Sequence, residues 1–178
     1  MALQPTTLKV EINLSDLDRN VYSNQRFTLA QHPSETAERV CARLLATALW
    51  FSETLKFGRG LGFPDEPALL EESLDGQLLH WIDVGQPDLE RITASSRKAL
   101  QVSILAYGGL KSWPDKVVAK LGKLANVKIA HLEPEPLAAL AETLTRSVQW
   151  SVLISEGVLY VTTQDQQYSI QLQWLKGD

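Results

Sequence analysis

The sequence predicts an α/β fold: a mixed central sheet flanked by helices, ending in an antiparallel meander. Three patterns carry this prediction. Residues 78–144 alternate short apolar runs with helical stretches, as strands joined by crossover helices do. Residues 148–174 hold three runs of apolar/polar alternation, separated by Ser155-Glu156-Gly157 and Gln164-Asp165-Gln166-Gln167, as hairpin-linked strands require. The chain opens in the same way, with Leu8, Val10, Ile12 and Leu14 on one face and Lys9, Glu11 and Asn13 on the other. At 178 residues and 44% hydrophobic content, one domain over residues 1–178 is expected. A chain of this length buries roughly 70% of the surface it exposes when unfolded, so its core requires no disulfide or structural metal.

Taken in order, Leu8 to Leu14 is a half-buried strand, and a second strand holds Phe27 and Leu29. Pro33 suits the first position of a helix, with Glu35 in its first turn, and the helix is expected to run to about Glu53. Residues 58–67 pack three glycines and two prolines together and form a loop. A phosphate-cradling loop would need a helix directly after the glycines, where Phe63 and Pro64 stand instead. Leu78 to Val84 is apolar on both faces apart from His80 and Asp83, so it reads as a central strand covered on both sides, ended by Gly85 and Pro87. Helices are expected at 88–99, 114–124 and 136–144, and strands at 102–106 and 127–130.

The single cysteine, Cys41, falls on an apolar helical stripe with Val40, Leu44, Leu45 and Ala48 and reads as core. No segment approaches the roughly 18 apolar residues of a membrane span, and the N-terminus lacks the basic and apolar regions of a leader, so a cytoplasmic protein without a membrane partner is expected. Net charge is only −4, but its distribution is uneven. Residues 62–90 carry eight acids and no Lys or Arg, whereas residues 91–128 carry eight Lys or Arg and one acid, Asp115. Two readings fit: solvated faces that neutralise each other, or an acidic metal site beside a basic surface that receives a polyanion such as nucleic acid.

Asp83 is the most informative residue, because a carboxylate inside an apolar strand costs several kcal/mol unless a cation or hydrogen bonds compensate it. Arg59 and Arg91 are available as partners. In the metal reading, Mg²⁺ or Mn²⁺ takes oxygen ligands from one or two carboxylates plus substrate phosphate. Asp65 and Asp83 suit that role, with Glu66 and Glu38 as further ligands. Glu35 reads as a helix-surface partner of Arg39 at four residues' spacing. A zinc site is not expected, since His32, His80 and His131 lie far apart without a partner motif. No G-x-S-x-G occurs to serve as a nucleophile elbow. Ser95 and Ser96 read as helix surface, and the five tryptophans as core or rim.

Several motifs resemble the YaeQ family in order and spacing: His32-Pro-Ser-Glu-Thr36, Arg59-Gly-Leu61, Asp65-Glu-Pro67, Trp81-Ile-Asp-Val-Gly85, Pro87-Asp88 and Arg91-Ile92. The resemblance covers nearly the whole chain. It implies a variant of the PD-(D/E)XK nuclease fold, with a restriction-endonuclease-like core, in which Pro64-Asp65 and Asp83 form the centre and Glu38 is the helix acid. Where that motif has Lys this chain has Gly85, so Arg91, then Arg59, would have to contact the phosphate. Relatives carry Lys about three residues after the matching Arg, and this chain has Ala94. The acidic cluster and the fold resemblance together point to a metal-dependent, nuclease-like protein acting on nucleic acid with a degenerate site. The alternative is a non-catalytic module that binds nucleic acid or a protein of the transcription machinery. A binder of a small anionic ligand is the third reading.

Overall fold

In the computed structural model, which describes residues 3–177, the opening alternation forms β1 (Thr6–Asp16), whose even-numbered side chains from Leu8 onward are buried. A turn returns the chain as β2 (Val21–Gln31), antiparallel to β1 along its full length. The first helix, α1 (Ala37–Leu49), starts later than Pro33 because Thr36 caps it, accepting the Arg39 amide at 3.2 Å. Residues 32–35 instead make a turn in which the Glu35 amide donates to the His32 carbonyl. The helix also ends earlier than Glu53. Arg19, from the turn after β1, donates to the carbonyls of Ala48, an acceptor that the helix end leaves open, and of Phe51 just beyond it, at 3.1 Å each.

The remaining strands are β3 (Lys56–Phe57), β4 (Leu69–Glu72), β5 (Leu78–Val84), β6 (Gln101–Ala106), β7 (Val127–Leu132), β8 (Ser147–Ser155), β9 (Val158–Thr162) and β10 (Gln167–Lys176). Together they form one mixed sheet in the order β2-β1-β8-β9-β10-β7-β6-β5-β4-β3. The parallel trio β5, β6 and β7 comes from the alternating stretch, as expected. The meander β8-β9-β10 is antiparallel, also as expected. It sits in the middle of the sheet, with β8 parallel to β1 and β10 antiparallel to β7. The sheet curls until its outermost strands approach, and the rings of Phe27 on β2 and Phe57 on β3 lie 5.3 Å apart.

This curl explains α1. Every residue from Val40 to Leu49 is buried, so the helix is enclosed on all sides rather than along one stripe. It packs inside the curl with α4 (Pro134–Glu142) against β1, β8–β10 and the inner face of β5. Burial raises the Cys41 thiol to about 12, with Glu38 adding to the effect, which makes it an inert core residue. A second apolar layer lies on the outer face of β5–β7, under α2 (Leu89–Lys98) and α3 (Trp113–Lys116).

Two helices differ from expectation. The predicted 114–124 helix is only α3 followed by a 3-10 turn at Val118–Lys120, since the β-branched pair Val117-Val118 interrupts it. The last helix starts at Pro134 rather than Pro136, and both prolines fall in the first turn, where a missing N–H removes no bond. Among the described residues no helix is long and apolar enough to cross a membrane.

Candidate functional site

Alternation along β5 turns Trp81 and Asp83 to the outer face, beneath α2, and Ile82 and Val84 towards α1. Asp83 is 5% exposed. Its partner is set by a helix cap: Asp88 accepts the Arg91 amide at 2.8 Å, which starts α2 and places Arg91 in the first turn above Asp83. The guanidinium then forks onto the carboxylate, Nε to Oδ2 at 2.9 Å and Nη2 to Oδ1 at 3.1 Å. It also donates to the carbonyls of Pro64 and Glu66, tying the 58–67 loop to the sheet. Bonding to Asp83 raises the pKa of Arg91, against a smaller opposing effect of burial.

The loop itself closes on Arg59. Its amide and Nε donate to the two Glu66 oxygens at 2.9 and 2.7 Å, and its guanidinium stacks 3.8 Å above the Phe63 ring. These bonds hold the Glu66 carboxyl below the usual carboxylate range. Gly58 is required here, because a Cβ would come within 2.1 Å of the Pro67 carbonyl oxygen. Between this loop, the end of β5 and α1 lies a cleft of about 300 Å³, whose wall includes Asp83, Arg91, Arg39 and Arg43.

Glu35 is not the helix-surface residue that its spacing to Arg39 suggests. It precedes the helix, is 6% exposed, and accepts from Arg39 Nη1 at 2.5 Å, Arg43 Nε at 2.8 Å and Arg43 Nη2 at 2.6 Å. Burial lowers the pKa of Arg43, and Glu35 opposes that shift. The signal for this role in the sequence is Arg43 itself, a cation within the run Val40–Leu49 that can be buried only against a carboxylate.

Of the four expected metal ligands, Asp83 and Glu66 border the same cleft, and Asp65 and Glu38 do not. Both Asp83 oxygens face Arg91, and both Glu66 oxygens face Arg59. Asp65 is exposed and borders a neighbouring groove with Trp81, Arg91 and Lys98. Glu38 lies on α1 and is not part of the cleft wall. Among the described residues no three His, Cys, Asp or Glu side chains are grouped so as to hold a metal ion. This donor set does not fit a Mg²⁺ or Mn²⁺ site, because guanidinium groups occupy the positions a cation would take. Gly85, where the resemblance leads one to expect a lysine, has φ 102°, a conformation that strains any residue with a side chain. Lys98 Nζ and the Arg91 guanidinium lie 5.7 and 5.6 Å from the Trp81 ring centre.

Residues 1–172 match the YaeQ protein family. The chain belongs to the YaeQ family. It is 36% identical over 176 residues to the YaeQ protein of Salmonella typhi, covering 97% of this chain and 96% of that one. The YaeQ protein of Escherichia coli K12 is 34% identical with the same coverage. The crystal structure of the YaeQ protein from Pseudomonas syringae superposes with a TM-score of 0.94 at 51% identity, covering 98% of this chain and 97% of that one. That from Xanthomonas axonopodis pv. citri gives 0.94 at 33% identity, covering 98% and 99%. Membership fixes the fold and assigns no activity, so function rests on the chemistry of the cleft.

Proposed function

We propose that this YaeQ-family chain binds the phosphodiester backbone of nucleic acid without catalysis, using a nuclease-like PD-(D/E)XK fold whose metal apparatus has been replaced by arginines. The observation that carries this reading is the fork of Arg91 on Asp83, which puts a permanent cation where a metal-dependent enzyme needs a free carboxylate. Arg39 borders the same cleft and keeps part of its guanidinium exposed beside its bond to Glu35, whereas Arg43 is buried against Glu35. The charge asymmetry of the sequence supports a longer footprint. Arg97, Lys98, Lys111, Lys116, Lys120 and Lys123 are all exposed; Arg97 and Lys98 are on α2, Lys116 is on α3, and the other three lie in the segments before and after α3.

Fluorescence anisotropy of labelled DNA and RNA oligonucleotides in EDTA tests the proposal. Affinity should fall steeply with salt, with a log–log slope of roughly −0.9 per neutralised duplex phosphate. Replacing Lys111, Lys116 and Lys120 by Glu should weaken binding at least tenfold. Binding that ignores salt would refute the proposal. Cleavage that requires Mn²⁺ or Mg²⁺ and is lost in Asp83→Asn would replace it with hydrolysis.

A further inference from the structure

The curled sheet has a second opening, at the C-terminal end of α1, where a cavity of about 550 Å³ lies between the starts of β5–β7 and the ends of β1 and β8. It is larger than the arginine cleft and of opposite electrical character. Its aromatic wall comes from Trp50, Phe51 and Trp174, and its floor from His80. His80 is 8% exposed, meets the Trp50 ring edge-on at 6.1 Å, and bonds through Nε2 to Ser103 Oγ at 2.8 Å. Its Nδ1 has no partner among the described residues. Burial lowers the His80 pKa to about 4, so the ring is neutral at physiological pH and can offer Nδ1 as a lone-pair acceptor when Nε2 carries the proton.

The charges around the cavity select the sign of an occupant. Three carboxylates, Asp16, Asp18 and Glu71, face two cations, Arg19 and Lys128, which leaves one negative charge. Arg19 is committed to Asp16 at 2.7 Å and to the carbonyls at the end of α1. Asp18 accepts the amides of Glu156 and Gly157. Glu71 sits directly across from His80 in the β4–β5 pairing and gives one oxygen to Thr54 at 2.7 Å. The C-terminus of α1 adds the negative end of a helix dipole. Aromatic faces combined with excess negative potential favour a cation, since ring faces attract positive charge and repel anions.

We infer that this cavity binds a small organic ammonium ion with an apolar or aromatic body, its N–H groups meeting His80 Nδ1 and the Glu71 carboxylate and its body lying against Trp50 and Trp174. The site is independent of the arginine cleft and needs no metal. Its volume falls within the range of sites for small ligands, roughly 300–1,000 Å³.

The test uses three probes that share one ring and differ in charge: benzylammonium, benzyl alcohol and benzoate. Each is titrated into the full chain at neutral pH by calorimetry, with saturation-transfer NMR to locate the bound ring. The expected result is one saturable site for benzylammonium, at least tenfold tighter than for benzyl alcohol, with benzoate weakest. Glu71→Gln should remove most of that preference while leaving benzyl alcohol unchanged. Gln101→Lys, at an exposed position on the cavity rim, should weaken benzylammonium without disturbing the core. Equal binding of the three probes, no saturable binding of benzylammonium, or an unchanged preference in both variants would overturn the inference.

Discussion

Whether Asp83 is half of an ion pair or a ligand awaiting a metal can be decided from folding energetics. Asp83 is 5% exposed and Arg91 covers both of its oxygens, while the Arg91 side chain is itself 32% exposed. Removing one partner of a fully buried pair costs about 3–5 kcal/mol because the other charge is stranded, and the partial exposure here lowers that to about 2–4 kcal/mol for Arg91→Ala. For a chain of this size the loss corresponds to a fall in Tm of about 5–15 °C. Asp83→Asn should cost less, about 1–2 kcal/mol, since Arg91 can turn towards water. The double variant should be more stable than the sum of the single losses implies, by about 1–3 kcal/mol, because nothing is left unpaired. Urea denaturation of the four proteins in EDTA, repeated with Mn²⁺, measures this cycle. If Asp83 serves a metal instead, Asp83→Asn would be neutral or stabilising in EDTA, Arg91→Ala would change little, and Mn²⁺ would raise the Tm of the native chain but not of Asp83→Asn. That pattern would refute the ion-pair reasoning.

Neighbouring features lead to three more expectations. His80 titrates near 4 in the fold against about 6.5 unfolded, so the unfolded chain takes up the proton first as pH falls. Its contribution is therefore fully present above about pH 6.5 and is lost towards pH 4; the difference in stability between native protein and His80→Gln should shrink by about 2 kcal/mol from pH 7 to pH 5, and a constant difference would contradict this. Glu35→Gln leaves two guanidinium groups facing each other beside a buried helix and should cost about 3–5 kcal/mol by urea denaturation. Gly85→Lys puts a side chain at a backbone φ of 102° and should lose about 1–3 kcal/mol while producing no Mn²⁺-dependent cleavage of oligonucleotides.

What can be read from the sequence depends on whether the decisive interaction is local. The period-2 pattern of residues 8–14 and 148–174 specifies half-buried strands, and the structure has β1 and β8–β10 there. Asp83 stands out because its neighbours are apolar, and Arg91 can be named because a first-turn residue after a strand end lies close to it. Other features rest on contacts the chain makes only once folded. The late start of α1 depends on the Thr36 hydroxyl, which caps the helix three residues beyond Pro33, and its early end depends on Arg19, about thirty residues upstream. The enclosure of α1 arises from the meeting of β2 with β3, a two-residue strand too short to show any period. Glu35 looks like surface because i,i+4 spacing to Arg39 is satisfied locally, while its stronger partner, Arg43, is eight residues away.

The same enclosure ties the two cavities together. The buried stretch of α1 is Val40–Leu49, while its first turn, Ala37–Arg39, is half-buried, so water screens the positive end of its dipole more than the negative end. Arg39 and Arg43 lie in the first half of α1 and line the arginine cleft, where Glu35 bonds to both. At the other end, Arg19 offsets only Asp16 and two carbonyls, leaving Asp18 and Glu71 opposed by Lys128. A metal cation at Asp83 would have to displace Arg91, which covers both carboxylate oxygens. An anion there has to compete with Asp83 for Arg91 and with Glu35 for Arg39 and Arg43. The two openings therefore hold different balances of charge: at the first each of Arg39, Arg43 and Arg91 is already bonded to a carboxylate, while the second is lined by three carboxylates and two cations.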